Sequence, residues 1–366
     1  MPPATFMVKP VSGLCNMQCS YCFYTDVTKN RERKSYGSMT TEMLEILIKK
    51  ALIYAEGSCT FAFQGGEPTL AGLDFYRLLI KMQNKYNTKR VKINNSIQTN
   101  GLLIDSKWAQ FLAQNNFLVG LSIDGTHTAH NKYRKTMNGI DSYEQVQKAA
   151  AVLSGNKVEF NVLCVVNNDV AAVPKEVYLD LKKHKNLQFT PQISDFGALV
   201  PSLDMETYAI FLKTTFDLYY KDFKRGKYVS IRNFDNYINV LSGKPPEQCG
   251  MAGMCGVYFL VEADGSVFPC DFYVLDEWKI GNVADDSFFK IAKSETARRF
   301  IQTSKNVDRE CNECMWYGLC RGGCRRYREP MTGEFLGRDA NCAALKSFFE
   351  YSYDRMVEIA RSLVYN

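Results

Sequence analysis

The first 200 residues alternate between short runs rich in β-branched and aromatic residues and longer stretches in which apolar residues recur at helical spacing. In the first helical stretch, Thr40 or Thr41 can cap the helix, and apolar side chains follow at helical spacing from Met43 to Ile53. We predict strands at 6–9, 59–64, 91–98, 118–123, 158–166 and 187–190, with helices beginning near Thr40, Leu73, Asp105, Ser142 and Pro174. This alternation predicts right-handed βαβ crossovers and a parallel sheet, arranged either as an open or partial barrel or as a doubly wound sheet.

The pattern changes after about residue 195. Two aromatic-rich helices are predicted at 204–223 and 233–241. A hairpin is predicted in YFLVEADGSVFPCDFY, where Asp264 and Gly265 suit a tight turn. We therefore expect three regions: a barrel at 1–200, a helical connector at 201–241 and a cysteine-bearing domain with a C-terminal helix at 242–366.

Composition excludes several classes of protein. The 46% hydrophobic and 23% charged residues are typical of a soluble globular chain, and neither an apolar run of membrane-spanning length nor a secretory signal is present. We therefore expect a cytoplasmic protein with no membrane partner. The net charge of +6 is spread along the chain, so no nucleic-acid partner is expected. Phosphate-loop and serine-hydrolase motifs are absent, and the three histidines stand in polar contexts that predict surface positions.

Thirteen cysteines are the feature that composition leaves to be explained. Disulfides are rare in reducing compartments, so these thiols are expected to bind metal. Cys15, Cys19 and Cys22 form a C-x3-C-x2-C spacing after the first predicted strand, at the end where parallel α/β proteins place their chemistry. Three thiolates can bind three irons of a four-iron cluster and leave the fourth iron open. Zinc is the alternative, but it normally takes four protein ligands in a structural site.

At these residues the chain resembles the radical S-adenosylmethionine superfamily, whose motif has this spacing with an aromatic residue, here Tyr21, before the last cysteine. The sequence Gln64-Gly65-Gly66-Glu67-Pro68 after the second strand resembles the GGEP element of the same superfamily. Glycines permit a backbone turn close to a ligand, and exposed carbonyl groups can accept from the ammonium of a methionine moiety. The resemblance implies a partial (β/α)6 barrel that binds S-adenosylmethionine through Gly65, Gly66 and Glu67.

The resemblance also implies four further contacts with S-adenosylmethionine. Ser122 would bind the ribose hydroxyls, and the forked guanidinium of Arg134 would pair with the methionine carboxylate. Tyr24 and Ile193 would flank the adenine. The alternatives are a helix-capping role for Ser122, a surface position for Arg134 and a core position for Ile193.

Eight cysteines in the C-terminal half resemble the SPASM domain, which carries two auxiliary iron–sulfur clusters and here has flanking helices. The family pattern implies interleaved ligands. The nearer cluster would take Cys249, Cys255, Cys270 and Cys324, and the outer cluster Cys311, Cys314, Cys320 and Cys342. Structural zinc is again the alternative. Cys59 and Cys164 remain, and both stand in apolar strands, where a free cysteine is a small buried hydrophobic residue.

Asp271 follows Cys270 directly, so a carboxylate stands next to a predicted cluster ligand. It could take a proton from a substrate while the cluster accepts an electron, or it could simply cap the strand end. The segments CDFYVLD, CFY and FQGGEPTLAG resemble anaerobic sulfatase-maturating enzymes across nearly the whole chain.

That resemblance implies oxidation of a cysteine or serine in a sulfatase polypeptide, unfolded or nascent, to Cα-formylglycine. A 5′-deoxyadenosyl radical would abstract a β-hydrogen and Asp271 would act as the base, while Gln64 and Tyr24 would contact the target residue. Three 4Fe–4S clusters and a low-potential flavodoxin or ferredoxin as reductant are implied as well. The alternatives are a maturase that crosslinks a ribosomally made peptide, and a metal-binding scaffold or electron carrier.

Overall fold

The computed structural model describes residues 3–198, 200–329 and 337–364, and the chain divides into two compact units. The first unit comprises Met1–Ser122, Tyr133–Phe160 and Val257–Phe300, and the second comprises Ile123–Lys132, Asn161–Gly256 and Ile301–Asn366. The predicted boundaries at residues 200 and 241 stay predictions.

The strands are β1 (Ala4–Val8), β2 (Ser58–Phe63), β3 (Lys92–Thr99), β4 (Leu118–Ser122), β5 (Phe160–Val166), β6 (Asn186–Pro191), β7 (Ser230–Ile231), β8 (Leu260–Val261), β9 (Ser266–Phe268) and β10 (Gly281–Asn282). The α-helices are α1 (Phe23–Lys29), α2 (Thr41–Tyr54), α3 (Leu73–Tyr86), α4 (Ser106–Gln114), α5 (His127–Tyr133), α6 (Tyr143–Gly155), α7 (Asn168–Ala171), α8 (Pro174–Leu181), α9 (Met205–Lys224), α10 (Arg232–Leu241), α11 (Phe288–Ala292), α12 (Glu295–Ser304), α13 (Arg309–Asn312), α14 (Tyr317–Cys320), α15 (Arg325–Arg328) and α16 (Cys342–Val364).

The six strands predicted in the first 200 residues are confirmed as β1 to β6, with bounds within two residues of the prediction. In the first unit, β1 to β4 are parallel neighbours in sequence order. In the second unit, β5, β6 and β7 are likewise parallel. This is the sheet that strand–helix alternation predicts.

The predicted hairpin is confirmed as β8 and β9, which are antiparallel. Gly265 closes the turn with φ of +82°, a left-handed conformation that favours glycine. The hairpin continues the sheet of the first unit, because β8 pairs in parallel with β1 through Met7 with Leu260 and Val8 with Val261. This pairing sets the ends of β1 and β8 side by side.

Each unit has its own apolar core. In the first unit, the Phe6 ring lies 5.6 Å from the Phe61 ring, 5.5 Å from Phe259 and 4.6 Å from Phe288, centroid to centroid. Helix α2 begins as predicted, with the Thr40 hydroxyl accepting from the Met43 amide at 3.1 Å. It buries a stripe that includes Leu44, Leu47 and Ile48, each contributing about 1.5–3 kcal/mol of burial free energy.

The second unit packs α9 and α10 against α16. The ring of Phe216 lies 5.2 Å from Phe234 and 5.6 Å from Phe348. Among the described residues, the helices are all too short or too polar to cross a bilayer.

Candidate active site

The three cysteines of the C-x3-C-x2-C motif lie on the loop between β1 and α1, at the carboxyl end of β1. The thirteen cysteines all lie in the described part of the chain and none of them is joined in a disulfide; these three are half-buried. The loop folds back on itself, because the amide of Cys22 donates to the carbonyl of Cys19 at 3.1 Å and the amide of Met17 donates to Cys15 Sγ at 3.4 Å. Burial raises the pKa of Cys15 to about 11, so this thiol keeps its proton at neutral pH until a metal displaces it.

The donor set of this loop fits a four-iron cluster with three protein ligands. Within the described residues, no three His, Cys, Asp or Glu side chains converge closely enough to share a single metal ion. A four-iron cluster is instead held by one cysteine on each iron. With three cysteines on one loop, such a cluster would keep one iron open.

The glycines of the 64–68 loop let that loop pack directly on the cysteine loop. The amide of Gly66 donates to the carbonyl of Ser12 at 2.9 Å, and the amide of Glu67 donates to the carbonyl of Leu14 at 2.8 Å. A Cβ atom at Gly66 would lie 2.0 Å from that Leu14 oxygen, so only glycine fits. Gly65 has φ of +114°, which also favours glycine.

The Glu67 side chain holds this loop in place through hydrogen bonds. Its buried carboxylate accepts from the Thr69 amide and hydroxyl at 3.1 and 2.6 Å, the Thr99 hydroxyl at 2.8 Å and the Asn100 amide at 2.8 Å. Burial raises the pKa of Glu67, and these donors oppose that rise. The side chain therefore fixes the 64–68 loop to the end of β3, and its contact with S-adenosylmethionine stays a prediction.

Arg134 lies against the cysteine loop through an extended segment. The amide of Gln18 donates to the carbonyl of Lys135 at 2.9 Å, and the amide of Ser20 donates to the carbonyl of Tyr133 at 3.1 Å. Arg134 is 6% exposed, and its guanidinium donates to the hydroxyl of Tyr21 at 2.9 Å. The alternative of a surface position for Arg134 is therefore wrong.

Two other predicted contacts lie elsewhere in the fold. Ser122 is buried at the end of β4, where its hydroxyl accepts from Gln98 Nε2 at 3.0 Å. Ile193 is half-buried in the second unit, just after β6. Their roles at S-adenosylmethionine stay predictions.

Asp271 belongs to a buried row of charged side chains in the first unit. Its Oδ2 accepts from the Tyr24 hydroxyl at 2.5 Å, and its Oδ1 lies 3.0 Å from Lys9 Nζ. Lys9 Nζ also lies 3.7 Å from Glu262 Oε1, which Arg31 Nη1 approaches at 3.2 Å. Burial and the Asp271 charge raise the pKa of Tyr24 well above its usual value, so the phenol keeps its proton and donates it.

Gln64 directly follows β2. Its amide donates to the carbonyl of Val8 at 3.0 Å. Its Nε2 is buried but finds no acceptor within the part of the chain that the structure describes. A buried donor without a partner is costly, so this nitrogen is suited to bind a ligand carbonyl.

The outer set of C-terminal cysteines comes together in the second unit. Cys311, Cys314, Cys320 and Cys342 line one pocket. Of the nearer set, Cys249, Cys255 and Cys324 lie in the second unit, where burial and the charges of the other two cysteines raise the pKa of Cys324 to about 12. Cys270 lies in the first unit, beside Asp271.

Two expectations about single residues have different outcomes. Cys59 and Cys164 are 0% and 1% exposed, which confirms them as buried residues. The surface position predicted for the histidines is wrong for His130, which is fully buried with its Nδ1 accepting from the Asp124 amide at 3.2 Å. A short polar stretch of sequence cannot show which distant parts of the folded chain bury it.

Sequence reasoning missed three residues of the site: Lys9, Glu262 and Asn100. The Asn100 side chain donates to Asn16 Oδ1 at 2.8 Å and lies 3.8 Å from Cys15 Sγ. Asn100 follows β3, so the strand-end rule could have found it. Lys9 and Glu262 carried no such signal, because the pairing of β1 with β8 joins residues more than 250 positions apart.

These features define a class of protein, and comparison with known families agrees with them. The model of the radical SAM superfamily matches residues 10–171, and the model of the SPASM iron–sulfur cluster-binding domain matches residues 253–315. The protein is therefore a radical S-adenosylmethionine enzyme with an iron–sulfur SPASM domain. The predicted fold class and the predicted cofactors, S-adenosylmethionine and 4Fe–4S clusters, are confirmed.

The chain is similar to named relatives over its whole length. It is 45% identical to the cysteine-type anaerobic sulfatase-maturating enzyme of Clostridium perfringens (strain 13 / Type A), with 99% of this chain and 100% of the relative covered. It is 31% identical to the serine-type enzyme of Bacteroides thetaiotaomicron, with 95% and 88% covered. The chain is also 44% identical to the protein in the solved structure of native anSMEcpe with bound AdoMet and Cp18Cys peptide. The two structures match with a TM-score of 0.94, and the match covers 99% of this chain and 100% of the other. The chain belongs to the family of anaerobic sulfatase-maturating enzymes.

Proposed function

We propose that this protein oxidises a cysteine of a sulfatase polypeptide to Cα-formylglycine. Cysteine is favoured over serine because identity is 45% to a cysteine-type relative and 31% to a serine-type relative. The observation that carries the chemistry is the Asp271 carboxylate, held between Lys9 and Tyr24 next to Cys270. We further propose a cytoplasmic location, an unfolded or nascent substrate, and a low-potential flavodoxin or ferredoxin as the reductant.

S-adenosylmethionine, bound at the cluster of Cys15, Cys19 and Cys22, supplies a radical that takes one hydrogen atom from the substrate. The chain has to hold the S-adenosylmethionine and the target side chain in register for this transfer. We assign the first task to the backbone of Gly65 and Gly66 and to Glu67. Four further side chains complete the proposed contacts with S-adenosylmethionine: Ser122, Arg134, Tyr24 and Ile193. We assign the second task to Gln64, whose buried Nε2 can donate to a peptide carbonyl, and to Tyr24.

Asp271 takes the thiol proton in this proposal. Loss of one hydrogen atom from Cβ, one proton from sulfur and one electron converts the CH2–SH group to a thioaldehyde, and hydrolysis then gives the aldehyde and hydrogen sulfide. The Tyr24 hydroxyl donates to Asp271 Oδ2 and Lys9 Nζ lies 3.0 Å from Oδ1, so the carboxylate is held in one position for this role. The electron would pass to the auxiliary cluster that Cys270 is predicted to bind, because Cys270 directly precedes Asp271 in the chain.

The test is incubation of the reduced, cluster-reconstituted protein with S-adenosylmethionine and a cysteine-containing sulfatase peptide. We expect deoxyadenosine together with a peptide whose mass shows conversion of CH2–SH to an aldehyde. The variant Asp271→Asn should still release deoxyadenosine but lose the aldehyde at least about 100-fold. A crosslinked peptide, or deoxyadenosine with no change in the peptide, would contradict the proposal.

A further inference from the structure

Arg328, the last residue of α15, is a buried cation in the second unit. The residue is 2% exposed, and its guanidinium donates to the carbonyl of Ser304 from Nη2 at 2.6 Å and to the carbonyl of Asn306 from Nη1 at 2.8 Å. Its Nε finds no acceptor, and no carboxylate lies at ion-pair distance from it, among the described residues. The neighbouring Arg325, by contrast, lies 3.4 Å from a carboxylate oxygen of Glu329. An arginine is always charged, and a buried charge without a counter-charge is costly.

The Arg328 guanidinium lies next to both sets of C-terminal cysteines. Ser304, whose carbonyl binds Nη2, also accepts from the amide of Cys255, in the nearer set, through its hydroxyl at 2.8 Å. At the other end of the guanidinium, Nη1 lies 3.8 Å from the position that a Cβ atom on Gly322 would take. Gly322 lines the same pocket as the four cysteines of the outer set. One charge therefore stands beside the ligands of both predicted auxiliary clusters.

The backbone fixes the position of this charge. Gly322 and Gly323 have φ of +84° and +75°, so the chain turns tightly between Cys320 and Cys324. A Cβ atom at Gly322 would lie 2.9 Å from Val307 Cγ1, so this turn packs directly on the segment whose carbonyls Arg328 binds. The guanidinium is thus held by backbone contacts rather than by a mobile partner.

Holding the end of α12 does not by itself require a charge. Ser304 is the last residue of α12, and its carbonyl could accept from a neutral amide as well as from an arginine. Asp339, a buried carboxylate that lines the outer pocket, accepts from the Asn341 amide at 2.7 Å and is not at ion-pair distance from Arg328. The described part of the second unit therefore leaves the Arg328 charge without a direct counter-charge.

An iron–sulfur cluster would supply that counter-charge. The thiols of the outer set line one pocket, which fits a four-iron cluster with four cysteine ligands. Counted with its thiolates, such a group is an anion, and accepting one electron adds one negative charge to it. A fixed cation beside it stabilises the reduced form more than the oxidised form, because the attraction grows with the negative charge.

We propose that Arg328 is the counter-charge of the auxiliary clusters and raises their reduction potentials, so that they can accept the electron that the substrate loses. Arg328 is a positioning residue, because it touches no reacting atom and acts through the clusters. This consequence for the reaction rests on the proposed function. The reduction potential itself does not, since it is measured without substrate.

The experiment measures the reduction potentials of the auxiliary clusters in the full-length chain carrying Cys19→Ala, which removes the signal of the first cluster. Redox titrations followed by electron paramagnetic resonance compare this parent with Arg328→Gln and Arg328→Lys, without S-adenosylmethionine or peptide. In Arg328→Gln, the equilibrium constant for one-electron reduction should fall about tenfold, which lowers the potential by about 59 mV. Arg328→Lys keeps the charge, so its equilibrium constant should stay within about twofold of the parent value.

A control and an iron analysis accompany the titrations. Arg355→Gln removes an arginine of the same unit, on α16, that lies 2.7 Å from a carboxylate oxygen of Asp217, and it should leave the potentials unchanged. Iron analysis shows whether each variant holds the roughly eight irons expected of two clusters. If Arg328→Gln holds fewer, full iron and unchanged potentials in Arg328→Lys still support the role of the charge.

Three results would overturn the proposal. They are potentials in a fully loaded Arg328→Gln that equal those of the parent, an equal drop in Arg328→Lys, and loss of iron in both variants, which would assign Arg328 to hydrogen bonding alone. The proposed function fails separately: wild type that releases deoxyadenosine without formylglycine overturns that function and leaves the measured potentials as they are.

Discussion

A methyl group at position 66 should disrupt the cysteine loop while leaving the rest of the protein folded. The Cβ atom of Gly66→Ala would lie 2.0 Å from the carbonyl oxygen of Leu14 and 2.4 Å from its carbonyl carbon. Reaching even a tight 3.0 Å contact with that oxygen requires a shift of 3.0 − 2.0 = 1.0 Å. Both partners are backbone, so no side chain can rotate away, and Leu14 is bonded to Cys15. Overpacking of this kind costs about 1–3 kcal/mol, which a folded chain of this size tolerates.

The consequence should be specific to one cluster. Iron–sulfur bonds do not follow a ligand displaced by about 1 Å, because metal sites tolerate departures of only about 0.2 Å. We expect Gly66→Ala to hold about eight irons per chain after reconstitution, against about twelve in wild type, and to release no deoxyadenosine. Iron and sulfide analysis, with deoxyadenosine measured by chromatography, checks both expectations.

Gly155→Ala is the matched control for this prediction. A Cβ atom at Gly155, the last residue of α6, meets no heavy atom within 4 Å. This variant should retain wild-type iron and activity. The reasoning is refuted if Gly66→Ala also keeps about twelve irons and full deoxyadenosine release.

Three further predictions concern single side chains. Tyr24→Phe removes the donor to Asp271 Oδ2 and should lower formylglycine formation about tenfold with deoxyadenosine release unchanged, as measured by mass spectrometry. Cys59→Ala should keep the full iron content, because Cys59 is buried within β2 and burial raises the pKa of its thiol to about 12. By contrast, Cys19→Ala should lose about four irons per chain. Burial and the neighbouring Lys183 charge lower the pKa of His184 from 6.5 to about 4. Between these two pH values the unfolded chain binds a proton at this histidine that the folded chain does not bind. The free energy of unfolding therefore decreases as the pH falls from 6.5 toward 4. Urea unfolding should therefore show about 1–2 kcal/mol less stability at about pH 5 than at about pH 7.5, a loss that His184→Gln reduces.

Each of these predictions has a contrary result. Equal losses of deoxyadenosine and formylglycine in Tyr24→Phe would mean that the hydroxyl serves S-adenosylmethionine rather than Asp271. Iron loss in Cys59→Ala would place that thiol among the cluster ligands. An unchanged pH dependence of unfolding in His184→Gln would show that other groups govern acid stability.

Local sequence patterns predicted most of the fold and the candidate metal-binding cysteines. The six strands follow from alternating segments, and the start of α2 follows from a threonine cap, because both depend on residues close together in sequence. The cysteine motif and the 64–68 loop could be recognised for the same reason, because each is formed by residues that are close together in sequence. The structure added the contacts between these loops: the Leu14 carbonyl leaves room only for glycine at position 66, and the Glu67 carboxylate accepts from Thr99 at the end of β3 and from Asn100 just after it.

Long-range pairing explains what the sequence could not predict. Lys9 and Glu262 are unremarkable in their own segments, and only the register of β1 against β8 makes them neighbours. The burial of His130 likewise depends on the chain that folds over it. Periodicity describes which face of an element is apolar, but not which distant element covers it.

The pairing of β1 with β8 also determines when, during synthesis of the chain, the edge of β1 can be covered. Strand β1 ends at Val8 and its neighbour β8 begins at Leu260, so one side of β1 has no partner until nearly three quarters of the chain has been made. At roughly 5–20 residues per second, that interval is roughly 13–50 s. During this time β1 presents an open strand edge, the kind of surface at which nascent chains associate incorrectly. Ribosome-bound chains that stop before residue 260 should therefore depend more strongly on chaperones than chains that include the completed hairpin.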